Sequence, residues 1–133
     1  MSVESTRKVI EPYFNSDHSD TSTMADDVVF TDMGSGQEYV GPEAVQGMLD
    51  WFYHVAFDAT AEPTKIFIGD GYAVFEGVVK GKHIGEFAGV PATNKEFSAP
   101  LCVTYDVEGD QIKRGRIYFS ALTVLGQVGA LGG

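Results

Sequence analysis

The run RGRIYFS alternates strictly: Arg114, Arg116, Tyr118 and Ser120 share one side, Gly115, Ile117 and Phe119 the other. Two uses fit such a polar side. It faces solvent, as charged side chains mostly do, or it lines a pocket in which Arg116 and Tyr118 orient a ligand oxygen through charge-assisted and phenolic hydrogen bonds. Asp32 is the second candidate, because it shares a strand face with Val28 and Phe30. An acid on an apolar face either caps the glycine turn that follows it or, with its pKa raised by burial, serves as a general base. His83 and Glu86 lie in GKHIGEFAGVP, and Tyr13 lies near the end of the first helical stretch. Phe30, Trp51, His83, Tyr118 and Ser120 are the expected ligand contacts, and Asp32, Tyr13 and Arg116 the expected chemical groups.

Other chemistries lack their signatures. His18, His54 and His83 are scattered without zinc-ligand spacing, and Cys102 is the single cysteine. GSGQEYVG is glycine-rich but lacks the Lys-Ser/Thr of a phosphate loop, and there is neither a nucleophile elbow nor a dinucleotide fingerprint. Cofactor-free acid and base work in a pocket is what these residues can do, with no metal.

The elements that must hold them are readable from periodicity. Val3, Thr6, Ile10, Tyr13 and Phe14 predict a helix over 2–15 with Ser2 as N-cap, kinked or ended early by Pro12. A strand over 27–33 follows, then a glycine turn with a short second strand, then a helix over 42–55 with the stripe Val45, Met48, Leu49, Phe52 and Val55. From Thr60 the period becomes two, over 60–68, 72–87, 96–107 and 111–120, with hairpin turns at Gly69-Asp70-Gly71 and Glu108-Gly109-Asp110. Gly77, Gly81 and Gly85 predict a hard bend in the longest strand. Helices followed by a meander predict an α+β fold, helices packed on one face of a strongly curved antiparallel sheet. The closing GALGG is expected to fray.

With 133 residues, 44% of them hydrophobic and 21% charged, the chain is expected to form one globular domain over 1–133. A net charge of -10 repels phosphate backbones and anionic lipid surfaces, so neither nucleic acid nor a membrane is an expected partner. No secretory h-region opens the sequence and no apolar run approaches the roughly 20 residues of a membrane span, which points to the cytoplasm. Cys102, in an apolar run, is expected to be buried and inert. A small hydrophobic molecule is the expected partner.

The order helix, VVFTDMGSGQEYVG, helix, GKHIGEFAGVPATNKEF, VTYDVEGDQIKRGRIYFS and LGQVG resembles the SnoaL-like polyketide cyclase branch of the nuclear-transport-factor-2-like superfamily, to which ketosteroid isomerase and limonene epoxide hydrolase are also similar. The most specific stretches are HIGEFAGVPATNK and GDQIKRGRIYFS followed by LGQVG. The resemblance implies a cone-shaped, strongly curved antiparallel sheet (cystatin-like) wrapped around N-terminal helices, and a homodimer, but not one reaction. It also implies that Asp32 is the general base and Tyr13 the oxyanion-binding phenol, with Tyr118 and Arg116 supporting the enolate oxygen. Two departures stand out. Ser120 replaces an aspartate at the end of the last strand, and a serine cannot take a proton at neutral pH unaided. Asn94 replaces a glycine, a change that left-handed backbone tolerates. Three functions follow: a cofactor-free isomerase, cyclase or lyase acting on a hydrophobic carbonyl compound, a binding protein that lost the acid, or an interaction module whose pocket its own aromatics fill.

Overall fold

A computed structural model describes residues 2–129. Helix α1 (Val3–Asn15) starts in a reciprocal box: the Ser5 amide donates to Ser2 Oγ at 3.1 Å, and the Ser2 amide donates to Ser5 Oγ at 2.8 Å. Pro12 does not end the helix, which continues to Asn15. Pro12 and Lys8, whose carbonyl the missing N–H would have met, are both exposed, so that carbonyl is left open to solvent rather than buried. The opposite stripe of Val9, Ile10 and Tyr13 is buried against the sheet.

The strands are β1 (Met24–Asp32), β2 (Glu38–Val40), β3 (Phe57–Ile68), β4 (Tyr72–His83), β5 (Glu96–Glu108) and β6 (Gln111–Phe119). Between β2 and β3 runs α2 (Pro42–Asp50), with Pro42 in its first turn, continued by a wider π-helical turn over Trp51–Ala56. The predicted helix over 42–55 is thus one continuous segment wound in two ways. The chain forms an α+β fold around a single curved six-stranded sheet in the order β2-β1-β6-β5-β4-β3, and the sheet does not close.

Every neighbouring pair is antiparallel except β1 with β6, which run parallel. The expected antiparallel pairing thus holds at four of the five neighbouring pairs, and β1 with β6 departs from it. Parallel neighbours need a long crossover, and here four strands and the α2 segment intervene, so no hairpin turn in the sequence marks the pairing. The expected hairpins at 69–71 and 108–110 do join β3 to β4 and β5 to β6. Strand β4 ends at His83 rather than at residue 87, and the 84–95 segment is a loop tied by a Phe87–Val90 bridge. A third helix, α3 (Ala121–Gln127), follows β6 and was not expected from the sequence. Gly129 ends the described chain, and the rest of the GALGG tail lies outside the described residues.

Curvature comes from close backbone approach. A Cβ on Gly77 would strike the carbonyl of Glu62, and one on Gly81 the carbonyl of Asp58, so β3 can hug β4 only because those positions are bare. A bulge between Pro63 and Lys65 shifts the register of the same pair. On the concave side, Phe75, Val79, Phe97, Leu101, Val103 and Tyr105 form the core with α1. Cys102 points the other way, half-buried opposite Glu76, and its thiol pKa is raised by burial first and by Glu76 second. The expectation of full burial fails because Cys102 alternates with the inward Leu101 and Val103.

Candidate active site

The concave face does not fill. Between α1, the α2 segment, β1, β5 and β6 lies a cavity of about 570 Å³, within the range of small-molecule sites. Its walls are mostly apolar and rich in aromatic rings, with Phe30, Phe52, Tyr53, Phe119 and Tyr105 among them. The third reading of the sequence, a pocket filled by its own aromatics, does not describe this chain.

The two ends differ in chemistry. At the inner end the Tyr13 and Tyr105 rings, each 1% exposed, meet edge to face with centroids 5.8 Å apart. Burial is the main cause that pushes the pKa values of Tyr13, Tyr53 and Tyr105 well above the ordinary 10, so all three phenols stay protonated and remain donors. His18 completes this end at 6% exposure, its ring 5.0 Å from Tyr13, 5.3 Å from Phe75 and stacked on Tyr53 at 6.1 Å. Its backbone is left-handed, with φ 59° directly after Asp17 at φ 56°, and its amide donates to the Tyr13 carbonyl at 3.3 Å. Desolvation lowers the imidazole pKa below 6.5, against a smaller opposing effect of Asp17.

At the mouth stands Asp32, the last residue of β1, half-buried beside the exposed Gly34, Ser35 and Gln37. Its Oδ1 accepts the Gly34 amide at 2.9 Å, so the turn-capping role and the pocket-facing position coincide in one side chain. Tyr39, paired to Phe30 across β1 and β2, lines the same wall, its pKa raised by desolvation and then by the Asp32 charge. No basic side chain lies within ion-pair distance of Asp32 among the described residues. Trp51 stacks over Phe87 at 6.0 Å beside the opening, and Ser120, Ala121 and Leu122 close the rim.

Of the residues singled out from the sequence, Asp32, Tyr13, Phe30, Trp51 and Ser120 meet in this cavity. Arg116, Tyr118 and His83 are not among its lining residues. The face of β6 that enters is Ile117 and Phe119; Arg116 lies on the other side, ion-paired to Asp106 at 3.1 Å, and Tyr118 is exposed there. The alternation was right and its direction was the solvent one. Ser120 rejoins the cavity because the strand has ended: its Oγ caps α3 by accepting the Thr123 amide at 3.2 Å. His83 is buried beside Phe57, its Nδ1 3.0 Å from Thr93 Oγ1. Asn94 adopts φ 58°, as a residue standing in for glycine should.

Sequence reasoning passed over Tyr53, Tyr105 and His18. Tyr105 was within reach, since Val103, Tyr105 and Val107 alternate inward along β5. Among the described residues no cluster of three or more potential metal ligands exists, and no helix is long and apolar enough to cross a membrane.

The family model of the SnoaL-like polyketide cyclases matches residues 14–128, which includes every strand and the whole cavity wall except Tyr13. The chain belongs to this family. Solved structures agree on the nuclear-transport-factor-2-like fold. A candidate SnoaL-like polyketide cyclase from Jannaschia sp. CCS1 is 16% identical with a TM-score of 0.83, over 96% of this chain and 93% of that one. IdmH, a candidate polyketide cyclase from Streptomyces antibioticus, is 23% identical with a TM-score of 0.72, over 96% and 98%. A phenazine biosynthesis-related protein from Pseudomonas aeruginosa is 18% identical with a TM-score of 0.73, over 95% and 86%. At these identities the likeness is one of fold, and a shared fold does not fix the reaction. No curated protein matches the chain.

Proposed function

We propose that this SnoaL-like chain is a cofactor-free acid–base enzyme of the isomerase, cyclase or lyase type, acting on a small hydrophobic carbonyl compound. The observation that carries the reading is one apolar cavity with a carboxylate, Asp32, at one end and a buried, protonated phenol pair, Tyr13 and Tyr105, at the other. Asp32 removes a proton from the carbon beside the carbonyl. The electrons move onto the carbonyl oxygen, which accepts the Tyr13 hydroxyl, with the Tyr105 phenol beside it. Aromatic walls exclude water, so these few polar groups act at low local dielectric.

Deuterium exchange at the carbon next to the carbonyl of 1-tetralone, followed by NMR in D2O, tests this. The native protein is expected to accelerate exchange over buffer, and Asp32→Asn, with an unchanged melting profile, to remove at least 100-fold of that acceleration. Acceleration that survives Asp32→Asn overturns the assignment.

Ser120 favours a second reading, a non-catalytic binding protein. Its hydroxyl is engaged in capping α3 and with Thr123 Oγ1 at 2.9 Å, so no acid stands at the end of the last strand. That reading predicts tight binding of 1-tetralone with exchange no faster than in buffer.

A further inference from the structure

Among the described residues, His18 is the buried polar side chain of the cavity wall that the acid–base scheme does not employ. Its Nδ1 is enclosed without a hydrogen-bond partner among the described residues, whereas Nε2 is neither enclosed in this way nor used by any hydrogen bond found there, so Nε2 is the nitrogen open to a ligand in the cavity. Tyr13, Phe14, Tyr53 and Phe75 surround the ring, and each could equally surround a phenylalanine. Yet two consecutive left-handed residues, Asp17 and His18, deliver an imidazole to this spot. A buried polar group without a partner needs one.

We infer that His18 is a recognition residue for a ligand hydroxyl. It accepts the hydrogen bond of a phenol or enol O–H brought to the inner end of the cavity beside Tyr13. A neutral imidazole has one acceptor nitrogen and one N–H donor, and its desolvated position keeps it neutral. The ligand class is therefore a flat hydrophobic molecule whose buried ring carries a hydroxyl. The inference uses the cavity as a ligand site, as the proposed function does, but needs no proton removal by Asp32.

The test compares 2-naphthol with naphthalene, which has the same ring system and no hydroxyl, by equilibrium dialysis. The native protein should prefer 2-naphthol. In His18→Phe the affinity for 2-naphthol should fall about tenfold, as for one lost hydrogen bond, while naphthalene binding holds within twofold. His18→Asn suits the left-handed backbone but is too short to reach the hydroxyl, so it carries the same expectation should His18→Phe misfold. No preference for 2-naphthol in the native protein, or an unaltered preference in either folded variant, overturns the inference. Equilibrium dialysis reads binding with no proton removal, so a failed exchange assay and a failed His18 assay remain separate results.

Discussion

The Tyr13 and Tyr105 rings meet edge to face with centroids 5.8 Å apart, one from the first helix and the other from the fifth strand. Such a ring pair contributes about 0.5–1.5 kcal/mol beyond its area burial. Tyr13→Leu and Tyr105→Leu are each expected to destabilise the fold. The double variant should lose less than the sum of the two, because the contact can be lost only once. Urea denaturation of the two single variants and the double variant checks this; strictly additive losses would mean that the ring contact contributes nothing.

Stability should fall on acidification below pH 6.5. His18 has a lowered pKa in the folded chain, so between 6.5 and that lower value the unfolded chain binds a proton that the folded cavity refuses. This one group contributes a slope of at most about 1.4 kcal/mol per pH unit, with full stability above 6.5. Chemical denaturation of the native chain and His18→Asn across pH 7.5 to 5 should show a shallower decline in the variant.

Two glycines are expected to respond oppositely to alanine. Gly47 lies exposed inside α2 with nothing near an added Cβ, so Gly47→Ala should stabilise by about 0.5–1 kcal/mol through helix propensity. Gly81→Ala drives a methyl into the Asp58 carbonyl and Ala59, and should lower the melting temperature. Thermal melts of the pair settle the comparison.

Ser120→Ala removes the cap of a helix only seven residues long, and should cost about 1 kcal/mol. Ser120→Asp caps as well as serine does, so its stability should match the native chain. Melting curves of both variants test whether the serine is held for α3. A native-like Ser120→Ala would show that it is not.

Period-two patterning and turn chemistry made β3 to β6 legible before any coordinates, and the stripe from Val45 to Val55 did the same for the second helix. What stayed hidden has definable causes. The parallel contact of β1 with β6 joins residues some 85 positions apart, such as Phe30 with Gly115, and leaves no local mark. The polar side of β6 looked like a pocket wall because alternation reveals two faces without saying which one the helices cover. Asp32, Tyr13, Phe30, Trp51 and Ser120 were reachable because each stands at an element's end or on an apolar face. His18 was not, because a lone histidine in the polar run Asn15–Thr23 carries no period at all.

The open sheet leaves two free borders, β2 and β3. Such borders invite other chains to dock strand against strand and grow into aggregates. The β2 border is only three residues long. Along β3, Pro63 offers no amide, Lys65 adds an exposed charge, and the bulge between them breaks the straight row of backbone groups. The irregularity that bends this sheet around its cavity thus also protects the protein from polymerising through its longest free edge.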